Sequence, residues 1–235
     1  MSILGIRDSG IKYVTDRLVL DLDTARLLSY PGSGTNWTDI SGNSNNLTTV
    51  NSPTFTSSDG GYFSFNGSTQ YANRASTVIT TNSNYSMCAW IRPASINQLG
   101  LAVHNGRETG SSGNGFAFGV GNGNGNPGNK LQVLFSGSAW FDPGYTYPSA
   151  NTWYYVVITR DSATTKCYVN GIQTPNTSGN SGSPPTTQFS VGGPDPTWGS
   201  ARFNGGIAIV QGYTKELSST EVLQNYNALK SRFGL

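Results

Sequence analysis

Apolar and polar positions alternate along most of this chain. In "RLVLDLD" (17–23), Leu18, Leu20 and Leu22 point one way and Val19, Asp21 and Asp23 the other, which predicts a strand with one apolar face. "GYFSFNG" (61–67) sets Phe63 and Phe65 on one face. "NYSMCAWIRP" (84–93) alternates Tyr85, Met87, Ala89 and Ile91 against Ser86, Cys88, Trp90 and Arg92. Bulk on both faces predicts a strand in the middle of a sandwich, stopped at Pro93. "GFAFGVG" (115–121) carries Phe116, Phe118 and Val120 on one side and only Gly and Ala on the other, so a neighbour packs close to that bare face or the strand bends. "NKLQVLF" (129–135) reads as its hairpin partner, joined through "NGNGNPGN", whose Asn-Gly and Pro-Gly pairs suit turns. A phosphate cradle is the sharper reading of that glycine run, but it lacks the Lys-Ser/Thr ending and a following helix. "TWYYVVITRD" (152–161) and "TTKCYVNGIQT" (164–174) form the clearest hairpin, with a turn near Asp161–Ala163 and another at Asn170-Gly171. "QFSVGG" (188–193) and "RFNGGIAIVQGY" (202–213) supply the last strands.

The period changes at the end. In "LSSTEVLQNYNALKSRFG", Ser218 and Glu221 fit a capping box, and Val222, Leu223, Tyr226 and Leu229 recur at helical spacing. Lys230 and Arg232 fall near the negative end of the helix dipole, and Gly234 follows as a stop. One short helix, about 218–232, is expected on a β body. Residues 1–16 carry Ile3, Leu4, Ile6 and Ile11 without clean periodicity. They read either as an edge strand or as an arm that anchors the chain or docks on a neighbouring subunit. Residues 17–235 show no composition break and are expected to form one domain.

Composition agrees. Charged residues are 11% of the 235, against about 25% in an average soluble protein. Gly, Ser, Thr and Asn fill the gap, with 30 Gly and 23 Asn. Gly and Asn tolerate positive φ, so many strands joined by many turns are expected. The net charge of +2 and the scattered basic residues give no nucleic-acid groove and no anionic-membrane surface. No apolar run is long enough to span a bilayer, and "MSILGIRDSGIKYVTDR" lacks a secretory h-region. Synthesis in a cytoplasm, with retention there until assembly or lysis, is the expectation. It favours free, buried thiols at Cys88 and Cys167; a disulfide requires their strands to be neighbours. It also disfavours glycosylation of the sequons at Asn36, Asn46, Asn66, Asn84 and Asn176.

The order of the segments "LVLDLD", "SYPGSGTNWTDISGNSNNLT", "GGYFSFNGSTQYA", "YSMCAWIRP", "WYYVVITRDSATTKCYVNG" and "FNGGIAIVQGYTKELSSTEVLQNYNALKSRFG" resembles the laminin-G-like, concanavalin A-like jelly-roll superfamily. The first and last segments look most like the versions found in virion proteins of tailed bacteriophages, marine and cyanobacterial phages especially. The resemblance implies an all-β sandwich of two curved antiparallel sheets. It does not imply one activity, because the superfamily holds glycan binders, glycosidases, adhesion modules and structural parts.

Candidate chemistry is sparse. The glucanases of the superfamily place acids as Glu-x-Asp-x-(x)-Glu, whereas the chain has only Glu108, Glu216 and Glu221, none in that pattern. Asp21 and Asp23 are expected on a solvated strand face. His104 is the single histidine, so a His-based zinc site and a Ser-His-Asp triad are both disfavoured. With Arg107 and Glu108 it reads as a polar surface loop. Laminin-G-like domains often bind calcium, and "NWTDISGNSNN" places oxygens on Asp39, Ser41, Asn43 and Asn45 at alternate positions. The glycine comes too early for an EF-hand-type loop and the closing Glu is missing, so calcium is the minority reading and a hydrogen-bonded turn the stronger one. The loop aromatics Trp140, Tyr145 and Tyr147, with Asp142 and the distant Trp198, either bind a glycan or a partner protein or cap the open end of the sandwich.

These residues lead to a non-enzymatic virion protein, a jelly roll decorating a capsid or built into a short fibre. Its expected partners are other capsid or fibre subunits and further copies of itself, with no nucleic acid and no membrane. A host-glycan adhesin is the alternative, and a glycosidase or polysaccharide lyase is disfavoured by the carboxylates.

Overall fold

The computed structural model describes residues 12–107, 113–194 and 201–235. The strands are β1 (Leu18–Asp23), β2 (Asn36–Trp37), β3 (Leu47–Val50), β4 (Thr54–Thr56), β5 (Tyr62–Asn66), β6 (Tyr71–Arg74), β7 (Tyr85–Pro93) and β8 (Gly100–Arg107). They continue with β9 (Asn114–Gly121), β10 (Lys130–Phe135), β11 (Ala139–Phe141), β12 (Tyr154–Arg160), β13 (Thr165–Val169), β14 (Ile172–Gln173), β15 (Phe189–Val191) and β16 (Asn204–Tyr213). One α-helix, α1 (Ser219–Leu229), follows.

The described strands form two antiparallel sheets, the jelly-roll sandwich that the resemblance implies. The first runs β14-β13-β12-β7-β16-β5-β4, with β1 also on β16. The second runs β11-β10-β9-β8-β15-β6-β3-β2. The core between them takes Leu20 and Leu22, Phe63 and Phe65, Met87, Ala89 and Ile91, Phe116, Phe118 and Val120, and Val156 and Ile158. These are one set of alternate residues from each strand, so one pleat face of each sheet is buried. On β9 the bare face has a cause. A Cβ added at Gly119 would lie 2.0 Å from the carbonyl oxygen of Gly100, so β8 leaves room only for glycine. The Asn170-Gly171 turn has positive φ at both residues, 51° and 82°, which suits the tight β13–β14 hairpin.

The outer face of the first sheet is closed by the end of the chain. Ser218 and Glu221 form the capping box that starts α1. Its Val222 and Tyr226, with Phe233 from a following 3-10 turn (Lys230–Phe233), pack on Cys88, Trp90, Trp153, Tyr155 and Val157. Trp90 stacks on Phe233 at 4.1 Å between ring centroids. This layer explains the bulk on both faces of β7. Leu223 departs from the predicted helix face and is 45% exposed, while Asn225 is buried and bonds Val14 and Tyr213.

Two further expectations change. Asp21 and Asp23 are buried, not solvated, because the helix and residues 12–16 cover β1. Asp23 forms a buried ion pair with Arg232, whose guanidinium also donates to Gly61 O at 2.6 Å and Asp59 O at 2.7 Å. Arg232 therefore closes the fold against a specific carboxylate rather than only facing the helix dipole. Cys88 and Cys167 are free. β12 lies between their strands, and Cys88 faces the helix layer while Cys167 faces the inter-sheet core. No helix among the described residues is long and apolar enough to cross a membrane.

Candidate functional site

The aromatic loop is divided by the pleat. Trp140 is paired with Leu134 across β10 and β11 and packs with it on the outer face of the second sheet. Tyr145 and Tyr147 come after Pro143, where the chain runs back beside the start of β10: Tyr147 N donates to Asn129 O and Leu131 N to Tyr145 O. That path turns Tyr147 into the core, where it is fully buried edge-on to Tyr145 and Tyr154. Tyr147 therefore cannot line a surface. Tyr145 is half-buried on the same inner side, and burial pushes its hydroxyl up to about 12. Trp198 lies outside the described residues.

What gathers around Trp140 is the β9–β10 connection. Asn122 Oδ1 accepts the backbone N–H groups of Asn124 and Asn126, which curls the loop. Gly125, at φ +76°, lies close against the indole: a Cβ there would sit 2.4 Å from Trp140 Nε1. Gly123 approaches Asp142 as closely, with 2.7 Å from an added Cβ to Asp142 Cβ. Asp142 also takes Lys130 Nζ at 2.6 Å and the N–H of Gly144 at 2.8 Å, and Asn176 donates to its carbonyl. Gln132 Oε1 receives Gly123 N. The product is a half-exposed indole beside an Asp–Lys pair and the exposed amides of Asn122, Asn124 and Asn126. A flat apolar ring next to fixed donors and acceptors is chemistry that suits a polyhydroxylated ligand. The sequence singled out Trp140 and Asp142. It missed Lys130 and the asparagine loop as their neighbours, although "NGNGNPGN" leads directly into the strand that pairs with Trp140.

The Asp39 loop is built differently. Asp39 Oδ1 accepts the N–H groups of Asp21 and Ser41 at 2.8 and 2.9 Å. Its Oδ2 accepts the Ser41 hydroxyl and Asn45 N, both at 2.9 Å. Asn43 and Asn45 turn their amide N–H groups to the carbonyls of Leu18 and Val19. Arg74 Nη1 donates to Asn45 Oδ1 at 2.6 Å. Four donors occupy the carboxylate and a guanidinium already holds the neighbouring oxygen, so this set does not fit calcium. Its role is to fasten the loop to β1. No group of three or more His, Cys, Asp or Glu side chains among the described residues is placed to hold a metal.

The described acids are all tied into the fold. Glu216 pairs with Lys166, and Glu221 with Lys215 and its cap. Asp161 accepts two turn N–H groups, and Asp59 accepts Trp153 Nε1. His104 is a buried residue of β8, not a loop residue; it lines a small cleft with Asn114, Ala117 and Leu134. Glu108, its expected companion, lies outside the described residues.

A family model, the concanavalin A-like lectin/glucanases superfamily, matches residues 66–223. The chain belongs to that superfamily. The match runs from the end of β5 into α1 and so includes Trp140 and Asp142. No curated protein sequence matches the chain. Among solved structures the superfamily fold recurs in domain 4 of AbnA, a GH43 extracellular arabinanase from Geobacillus stearothermophilus, in complex with arabinotriose. The TM-score is 0.66 at 18% identity, over 89% of this chain and 98% of that one. The binding domain of botulinum neurotoxin DC, in complex with SialylT, gives 0.66 at 15% identity over 92% of this chain, which spans 52% of that domain's length. Trypanosoma rangeli sialidase, in complex with the inhibitor DANA, gives 0.63 at 16% identity over 89% of this chain, which spans 32% of the sialidase. At these identities the likeness is one of fold.

Proposed function

We propose that this chain is a non-catalytic binding module that takes a glycan at the Trp140 edge of its second sheet. The observation that carries this reading is the indole of Trp140, held by Gly125 and ringed by Asp142, Lys130 and the Asn122–Asn126 amides. The described carboxylates support a non-enzymatic role, because they are engaged as a cap, in ion pairs, by turn N–H groups or, at Asp21 and Asp59, by side-chain donors of the fold. Two proteins that share the fold were solved with glycans or glycan-like ligands, the arabinanase domain with arabinotriose and the neurotoxin binding domain with SialylT. A glycan array probed with the intact protein tests the reading. Trp140→Ala is expected to weaken binding strongly and Tyr145→Phe to keep it; equal binding by both variants contradicts the site.

The setting we propose is the surface of a tailed-phage particle, as capsid decoration or a short-fibre component in several copies. Its motive is the likeness of "LVLDLD" and of "FNGGIAIVQGYTKELSSTEVLQNYNALKSRFG" to phage virion proteins. A cryo-EM map of particles carrying this chain tests it, and particles whose density lacks the sandwich would sink it.

A further inference from the structure

The charge around Trp140 is sparse and balanced. Between Gly121 and Thr159 the chain carries only two charged residues, Lys130 and Asp142. The fold brings them together. Phe141 packs toward the core, which leaves Trp140 and Asp142 on the outer side, and Lys130 Nζ reaches Asp142 Oδ2 at 2.6 Å. Gly123 and Gly125 of one loop approach Asp142 and Trp140 in turn, so the pair and the indole share one rim. No other described Lys or Arg bonds to residues 122–126, 140 or 142. The two side chains are 42% and 30% exposed, and an ion pair so open adds little to stability.

The pair keeps capacity for a ligand. Lys130 has three N–H donors and spends one on Asp142. Asp142 Oδ2 takes Lys130 and Oδ1 takes Gly144 N, while each carboxylate oxygen accepts twice. A sugar hydroxyl both donates and accepts, so it can bond either partner. A glycan carboxylate only accepts. It meets the Asp142 anion at close range and a Lys130 whose charge is already balanced. A site built for an acidic glycan holds a cation ready to pair with it. Here the rest of the rim is uncharged, from Gly121 to Asn129. We propose that the site takes uncharged oligosaccharides and that Asp142 turns acidic ones away. This rests on the glycan reading of the Trp140 edge and adds the class of sugar.

The test uses the intact protein and oligosaccharides in matched pairs, each neutral chain beside the same chain bearing uronic acids. The neutral member is expected to bind about tenfold more tightly. Asp142→Asn keeps an oxygen for Gly144 N and leaves Lys130 unpaired. It is expected to raise acidic binding relative to neutral about tenfold, and the gain should vanish near 1 M salt, where charges are screened within about 3 Å. Lys130→Gln leaves a lone anion and is expected to widen the neutral preference. A ratio unmoved by Asp142→Asn, or a neutral preference narrowed by Lys130→Gln, overturns the role given to Asp142. A parent protein that prefers the acidic member, with binding lost in Trp140→Ala, overturns the inference and leaves the Trp140 site standing. Binding of neither member, or binding that survives Trp140→Ala, overturns the site and the inference with it.

Discussion

The two outer faces of the sandwich are finished in different ways. On the first sheet, α1, Phe233 and residues 12–16 lie over Trp90, Trp153 and Tyr155, and buried polar groups meet specific partners such as Asp23 with Arg232. On the second, the edge at β11 leaves a half-exposed tryptophan under a loop of glycine and asparagine. Aromatic residues occur in both. What separates them is the cover: in one place the chain supplies its own ring stack, in the other only backbone and amides. Aromatic content alone therefore says little about binding, and the second layer over the ring decides its role.

The largest effect should come from opening the covered face. Arg232 and Asp23 are both almost entirely buried, so Arg232→Ala leaves the carboxylate with only the half-exposed Arg26 at 3.8 Å as a cationic partner and should lower unfolding free energy by about 3 kcal/mol in urea titrations. A loss below about 1 kcal/mol would mean that the helix layer does not depend on this pair. Asp39→Ala should cost about 2 kcal/mol, because four donors lose one buried acceptor group. Calcium added to the parent chain should leave its melting temperature unchanged, and a rise that disappears in Asp39→Ala would restore the metal reading.

A smaller, pH-dependent effect belongs to Asp21. Burial raises its carboxyl from the usual 3.8 to about 6, against the lowering bonds from Tyr13 and Gln211. The folded-state value lies above the unfolded one, so the fold prefers the protonated acid. That contribution is complete below about pH 4 and is lost as pH rises through 6. Asp21→Asn should remove this slope and raise stability at pH 7 by about 2 kcal/mol or less. A parent chain whose stability increases from pH 4 to 6 in a way that Asp21→Asn abolishes would reverse the sign and contradict the account.

Much of the covered face was legible beforehand, because local chemistry writes it. The alternation in β7 and β12, the Ser218–Glu221 box and the Asn170-Gly171 turn each depend on residues close in sequence. Asp21 and Asp23 were misread because their cover comes from Tyr13, Gln211 and Arg232, which no strand period reveals. The open edge was half legible. Trp140 and Asp142 stand out in a Pro/Gly-rich connection, but the sequence joined them to Tyr145 and Tyr147. Only the return of the chain beside β10 sends those two rings inward. The Asp39 loop was half legible for a related cause: alternating oxygens do not show which N–H groups they already hold.

The smallest effect on stability and the largest on function should come from Trp140. Trp140→Ala should shift the unfolding midpoint little, since its ring is half-exposed at an edge. The most direct test is titration calorimetry of the intact protein against the best glycan from an array, with Trp140→Ala and Tyr145→Phe in parallel. The account predicts that Trp140→Ala weakens binding about 30-fold, roughly 2 kcal/mol, while Tyr145→Phe changes it little. Undiminished binding by a correctly folded Trp140→Ala protein would contradict it.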